Sequence, residues 1–163
     1  MREWLVASGI IEGPDGLLLV QNRRRNGSLD WSTPGGVVEV ADGESVLDGL
    51  TREVREETGI TVRSWQGPVY EVVAEAEGMG WRMRVEVHVA LDYAGDLVVD
   101  DLDQIVIDAQ WVAPDACGPH LEQCPVWVRE PLSAYLSDRW DDARSYRYRV
   151  EGADRSTMTV VRL

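Results

Sequence analysis

Three glutamates, Glu53, Glu56 and Glu57, crowd into the segment LTREVREETGI beside Arg52 and Arg55. At about 100° per residue, a helix would gather them into an arc of roughly 100° on one face. Like charges at three- and four-residue spacing cost about 0.2–0.5 kcal/mol per pair, and more where burial lowers the dielectric. Two readings account for the crowding. In the first, the helix face is solvated, and the four-residue pairs Asp48 to Arg52 and Arg52 to Glu56 balance it. In the second, the arc binds a hard divalent cation. Mg2+ takes oxygen ligands in octahedral geometry, usually a few carboxylates with water and substrate phosphates. In that case the repulsion becomes a binding site.

The elements that would position these side chains follow from local signals. Ser45, with Asp48 three residues later, resembles a capping arrangement, and Gly59 suits the position after the last turn, so a helix is expected over Ser45–Thr58. Leu47, Leu50 and Val54 form an apolar stripe beside the acidic arc. Val37–Val40 reads as a short strand after Pro34, Gly35 and Gly36. Upstream, Trp4–Ile11 and Leu17–Gln21 are apolar runs joined by the turn signal GPDG, which predicts a hairpin, and NRRRNGSLDW reads as a polar loop. Downstream, Val69–Ala76 and Arg82–Leu91 are strands. In the second, Met83, Val85, Val87, Val89 and Leu91 should face the core, with Arg82, Arg84, Glu86 and His88 opposite. An acidic loop over Asp92–Asp103, a strand at AQWV, a second helix over Pro125–Asp138 and a terminal hairpin around GADR complete the chain. Strands before, between and after two helices imply a mixed α/β class, with a mixed β-sheet between helices in an α/β/α sandwich. The expectation is a single domain over 1–163, with a core of about 3–138 and an added C-terminal β-hairpin at about 145–163.

A chain of 163 residues can bury roughly 70% of the surface it exposes when unfolded. Its net charge of −13 argues against nucleic-acid or anionic-membrane binding, because both need a basic surface. No apolar run approaches the ~20 residues of a membrane span, and the N-terminus reads as a strand rather than a signal peptide, so a cytoplasmic protein is expected. Cys117, His120 and Cys124 in CGPHLEQC bring three soft ligands close together. A structural zinc site wants four and the short cysteine pair is missing, so two reduced thiols in a loop with a solvated His120 are the expectation.

Taken whole, the acidic segment resembles the Nudix box: Gly, five residues, Glu, seven residues, Arg-Glu, an aliphatic, any residue, Glu-Glu, any residue, Gly, an aliphatic. Glu44, then seven residues, then Arg52, Glu53, Val54, Arg55, Glu56, Glu57, Thr58, Gly59 and Ile60 match it, and the preceding WSTPGG fits the usual approach. One departure is plain: seven residues, not five, separate Gly36 from Glu44. The extra pair is expected to lengthen the loop EVADG and leave the helix intact.

The resemblance implies an enzyme that hydrolyses a nucleoside diphosphate linked to another group, by water attack at phosphorus. It implies Mg2+ as cofactor, with Mn2+ able to substitute, held by Glu53, Glu56, Glu57 and the Gly36 carbonyl. Arg52 would hold a box glutamate in place and Glu44 would support the ligands from behind. Glu53 is the favoured general base. In many relatives a later glutamate lies six residues before the tryptophan of an ARWV-like strand. That place is Ile105 here, with Asp103 and Asp108 the nearest acids. Arg23, Arg24 and Arg25 are candidates for substrate phosphate and Trp31 for base stacking; Arg84 and His88 are weaker ones. The proline and the tyrosine that mark ADP-ribose and dinucleoside polyphosphate hydrolases are missing from Ala74–Glu77, and Pro68 and Tyr70 lie too near the box. A nucleoside triphosphate pyrophosphohydrolase is therefore favoured, with an ADP-ribose or nucleotide-sugar pyrophosphatase, or an inactive ligand-binding Nudix module, as alternatives. The expected partner is a small-molecule nucleotide. A homodimer through Tyr146, Tyr148 and Val150 is also allowed.

Overall fold

The computed structural model describes residues 1–101 and 103–163, so Leu102 of the expected acidic loop lies outside the described residues. The chain builds two sheets with a helix between them. The larger sheet contains β1 (Arg2–Ile10), β5 (Gly35–Val37), β6 (Thr61–Ala76), β7 (Trp81–Ala94), β9 (Arg144–Glu151) and β10 (Thr159–Arg162), in the order β10-β9-β6-β7-β1-β5. It is mixed: β1 runs parallel to β7 and β6 parallel to β9, and the other neighbours are antiparallel. The smaller sheet centres on β3 (Gly16–Arg23), with β8 (Val106–Val112) on one edge and β2 (Glu12–Gly13) and β4 (Leu29–Ser32) on the other.

Helix α1 (Val46–Thr58) packs between the sheets. Leu50 and Val54 are fully buried among Ala7 of β1, Leu18 and Val20 of β3, Val62 of β6, and Val106 and Ala109 of β8. Burying each such side chain is worth about 1.5–3 kcal/mol. Leu17 and Leu19, of opposite parity on β3, enter a second core with β6, β9, α2 (Cys117–Leu121) and α3 (Val126–Asp138). Apolar residues on both faces explain why this strand reads as the continuous run LLLV rather than an alternation. Among the described residues, no helix is long and apolar enough to cross a membrane.

Several elements differ from expectation. The turn at GPDG joins β2 to β3, while β1 pairs with β5 and β7, so the first two apolar runs lie in different sheets. The polar segment after β3 is a second hairpin, with Asn22 opposite Asp30 and Arg23 opposite Leu29. The strand expected at Val37–Val40 lies at Gly35–Val37 instead, and Val40–Asp42 forms a 3-10 turn. On β7, His88 is 4% exposed and Leu91 61%, the reverse of the simple alternation. His88 pairs with Gly9, and a Cβ on Gly9 would lie only 2.7 Å from the Trp65 ring, so this face is covered as well. Leu47 is exposed at 41%, which leaves Leu50 and Val54 as the working stripe of α1.

The terminal hairpin extends the larger sheet through the β6–β9 pairing. Tyr146, Tyr148 and Val150 are buried within the chain, where the Tyr148 hydroxyl donates to Glu130 of α3 at 2.8 Å, and are therefore not available as a dimer surface. Their alternation signals a buried face, and α3 of the same chain covers it.

Candidate active site

Helix α1 is well specified at both ends. The Ser45 hydroxyl accepts from the Asp48 amide at 3.1 Å, and Gly59 adopts φ 80°, donating its N–H to the Arg55 carbonyl. Of the seven residues between Gly36 and Glu44, Val37 ends β5 and Val40–Asp42 form the 3-10 turn closed by Gly43, so the longer loop is absorbed before the helix begins.

β5 brings the backbone to the acidic arc. A Cβ on Gly36 would lie 2.6 Å from Glu53 Cδ and 2.9 Å from both carboxylate oxygens, so only glycine lets this carboxylate rest on the strand. Beside it, the Gly35 amide donates to Glu57 Oε2 at 3.1 Å. Glu57 is 8% exposed, and its other neighbours in charge are carboxylates. Burial pushes its pKa well up; the Gly35 N–H opposes that shift, and Glu53, Asp101 and Glu56 add to it. Burial likewise raises the Glu53 pKa against the pull of Arg52, with Glu56 and Asp101 raising it further.

Arg52 links the cluster. Its Nε and Nη2 donate to the two oxygens of Glu44 at 2.7 and 3.0 Å, a bidentate fork. Its Nη1 donates to Glu53 at 3.1 Å and to Glu56 at 3.2 Å. Glu44 also accepts from the Glu39 amide at 2.9 Å, and these donors hold its pKa down to about 2. Glu53, Glu56 and Glu57 thus offer hard oxygen donors, with Glu57 aimed by a backbone amide and Glu53 by a glycine gap. That donor set fits Mg2+ or Mn2+. Among the described residues, no three acidic, histidine or cysteine side chains yet surround one point, and in this cluster Arg52 stands between Glu53 and Glu56.

The acid that sequence reasoning missed is Asp101. Its carboxylate accepts from the Val106 amide at 3.0 Å and the Asp103 amide at 3.2 Å, at the entry to β8, and its charge acts on both Glu53 and Glu57. Counting back from Trp111 leads to Ile105, whose side chain is exposed and whose carbonyl accepts from the Arg23 amide. Asp108 is tied to the Ala109 amide and the Gln110 side chain. The signal lay in the acidic run DDLD, and loop length hid which of its members turns inward.

The remaining candidates are dispersed. Arg24 forks onto Asp30 at 2.6 and 2.8 Å, and Asp30 also accepts from the buried Asn22, so this guanidinium is committed to its own hairpin. Arg23 and Arg25 are exposed on either side of it. Trp31 packs against the second core with its ring 5.1 Å from that of His120, edge to face. Arg84 pairs with Glu86 at 3.3 Å and Glu71 at 3.7 Å, and His88 reaches Glu86 at 3.3 Å. Cys117, Cys124 and His120 each turn toward a different backbone carbonyl, and both thiols are buried, so they gather no metal site.

The chain is similar to known proteins in sequence and in fold. A 57-residue stretch is 44% identical to the uncharacterized Nudix hydrolase YvcI of Bacillus subtilis, covering 35% of this chain and 33% of that protein. The match thus spans about a third of that relative's length. The ORF135 protein of E. coli superposes with a TM-score of 0.68 at 25% identity, over 87% of this chain and 96% of that one. The MutT protein of Methanosarcina mazei Go1 shares the fold with a TM-score of 0.68 at 22% identity, over 86% and 97%. The NUDIX domain model matches residues 3–133, most of the sequence, and with the box glutamates placed as described, the chain belongs to the Nudix hydrolase family.

Proposed function

We propose that the protein hydrolyses a phosphoric anhydride bond in a nucleoside diphosphate-linked small molecule, with Mg2+ or Mn2+ held by Glu53, Glu56, Glu57 and the Gly36 carbonyl. The observation that carries this reading is the docking of Glu53 on Gly36 beside a buried Glu57 fixed by the Gly35 amide. Two neighbouring carboxylates whose pKa values burial raises, Glu53 and Glu57, with Glu56 beside them on the same helix face, call for a cation. The bound ion supplies charge neutralisation for the pyrophosphate and lowers the pKa of water.

The chain's own groups do the rest. Glu53, with its raised pKa, accepts a proton from the attacking water while the water oxygen bonds to phosphorus and the anhydride P–O bond breaks. Arg52, anchored on Glu44, fixes the orientation of Glu53. Asp101 adds a further carboxylate on the loop side, where it serves as a ligand or as an alternative proton acceptor. Arg23 and Arg25 are the exposed arginines closest in sequence to the β3–β4 turn and are proposed to meet the substrate phosphates. A nucleoside triphosphate is the favoured substrate.

The test is product release with Mg2+ or with EDTA, across nucleoside triphosphates, ADP-ribose and nucleotide sugars. Mg2+-dependent cleavage that Glu53→Gln and Glu57→Gln reduce by orders of magnitude, in folded protein, supports the reading. Cleavage confined to ADP-ribose or to a nucleotide sugar would replace the triphosphate assignment. No cleavage of any substrate by folded, metal-binding protein would leave a binding module.

A further inference from the structure

Residues 33–36, Thr-Pro-Gly-Gly, carry the Gly35 amide that holds Glu57 and the Gly36 backbone on which Glu53 rests. The same four residues are poorly equipped to hold themselves. Pro34 has no N–H to give a neighbouring strand, and two adjacent glycines leave the backbone its widest freedom. Neither glycine can be exchanged for a stiffer residue, since a Cβ on Gly36 would strike Glu53 and one on Gly35 would strike the Ala7 carbonyl. The ties come from β1. Gly9 donates its N–H to the Pro34 carbonyl at 2.9 Å, and the Ser8 and Thr33 hydroxyls meet at 2.5 Å. We propose that Ser8 and Thr33 are positioning residues for the metal site, orienting the peptide unit between Pro34 and Gly35 and through it Glu57. The role rests on the metal reading above and extends it to two side chains that, among the described residues, bond no carboxylate.

Strand alternation places the pair. On β1, Ala7 lies opposite Gly36 and packs with Leu50 and Val54 of α1, so Ser8, opposite Gly35, turns its side chain to the other face of the sheet. Thr33 meets it there. Each hydroxyl has one proton to give. When Thr33 donates to Ser8, the Ser8 proton is free for the Pro34 carbonyl, 3.5 Å away, which already accepts from Gly9. That carbonyl and the Gly35 N–H belong to one peptide unit, which is planar, so holding the oxygen toward β1 aims the N–H the opposite way. It points at Glu57 Oε2, 3.1 Å off, and is the hydrogen-bond donor to this carboxylate among the described residues. Without the hydroxyl pair the peptide can rock about the Gly9 bond. Glu57 then loses its fixed donor, and the Gly36 carbonyl, one residue on, loses its aim.

The test uses Ser8→Ala, Thr33→Val and Thr33→Ser, the last keeping the hydroxyl. Free Mn2+ is counted by electron paramagnetic resonance as protein is added, and melting in EDTA certifies the fold. S8A and T33V should each weaken Mn2+ binding by at least about threefold, toward the roughly 10–100-fold typical when a metal ligand loses its support, with T33S within about twofold of wild type. The double variant S8A/T33V should be no weaker than the worse single one, because either loss breaks the same pair. A smaller change in either single variant would overturn the proposal and leave the hydroxyls an ordinary structural bond. Should neither variant fold, amide hydrogen exchange on the wild type decides. A Gly35 amide as protected in EDTA as the Gly9 amide supports a peptide fixed ahead of metal binding; a Gly35 amide that exchanges freely until Mg2+ is added refutes it. Glu57→Gln separates the two readings. If it binds Mn2+ as tightly as wild type, the metal reading itself fails, whereas a loss in E57Q with none in S8A or T33V sinks only the positioning role.

Discussion

Gly36→Ala isolates the contact on which the site depends. The added methyl carbon would lie 2.6 Å from Glu53 Cδ, whereas ordinary carbon contacts begin at 3.4 Å, so the carboxylate must retreat by about 0.8 Å or β5 must bend. Glu53 has some freedom to move, its side chain being 22% exposed, and the stability cost should lie near the lower end of the 1–3 kcal/mol typical of overpacking. Catalysis has less tolerance. A displacement approaching 1 Å in a group that meets the reacting water costs about 100-fold, or about 2.7 kcal/mol of barrier. The assay is kcat at saturating Mg2+ on the best substrate, with thermal melting to certify the fold. Because the damage runs through Glu53, the G36A penalty should largely vanish when Glu53 is already glutamine and inactive. A G36A enzyme within about threefold of wild type, or a penalty undiminished in the E53Q background, would refute the view that Gly36 is there to seat Glu53.

Glu57→Gln removes a buried carboxylate whose folded pKa is raised, so melting in EDTA should move to higher temperature by a few degrees while Mg2+-dependent turnover drops by orders of magnitude; a lower melting temperature would contradict the charge argument. His88 is buried with its pKa lowered mainly by desolvation, against the opposing pull of Glu86 and Glu71. The folded state therefore binds fewer protons at His88 than the unfolded one, and stability from this group is lost as pH falls below about 6.5 toward the lower folded value. Denaturant melts at several pH values should show that loss, and it should disappear in His88→Gln. Tyr148→Phe breaks the bond to Glu130 that clasps the terminal hairpin to α3. A loss of about 1–2 kcal/mol in denaturant unfolding is expected, with little change in kcat.

The parts of the fold that could be read from the residues are those where one local rule acts alone. Ser45, Leu50, Val54 and Gly59 bound and orient α1 through capping and helical periodicity, and the helix lies where those signals put it. Reading failed where a second element intervenes. His88 looks solvated by alternation, yet it is buried where β6 passes over its ring, a Cβ on Gly67 lying 3.0 Å from its Nδ1. Tyr146 and Tyr148 look like an unpartnered stripe until α3 is laid over them. The GPDG turn is real, but strand pairing is decided by which sheet β1 joins, and no local signal carries that choice.

The site divides along the same line. Glu53, Glu56 and Glu57 share an arc because helical spacing alone requires it. The charge of Asp101 acts on Glu53 and Glu57 from the entry to β8, where its carboxylate accepts from the Val106 and Asp103 amides and β8 is set by its pairing with β3. A residue count from Trp111 assumes a loop of fixed length and so lands on Ile105; the geometric requirement is an acid whose loop amides turn it inward. The arginines teach the converse. Arg23, Arg24 and Arg25 are equivalent as sequence, but the fork to Asp30 commits Arg24 to its own hairpin and its two neighbours stay exposed. Composition can propose which charges are present in a site. Which of them remain free for a substrate depends on the pairs that folding closes first.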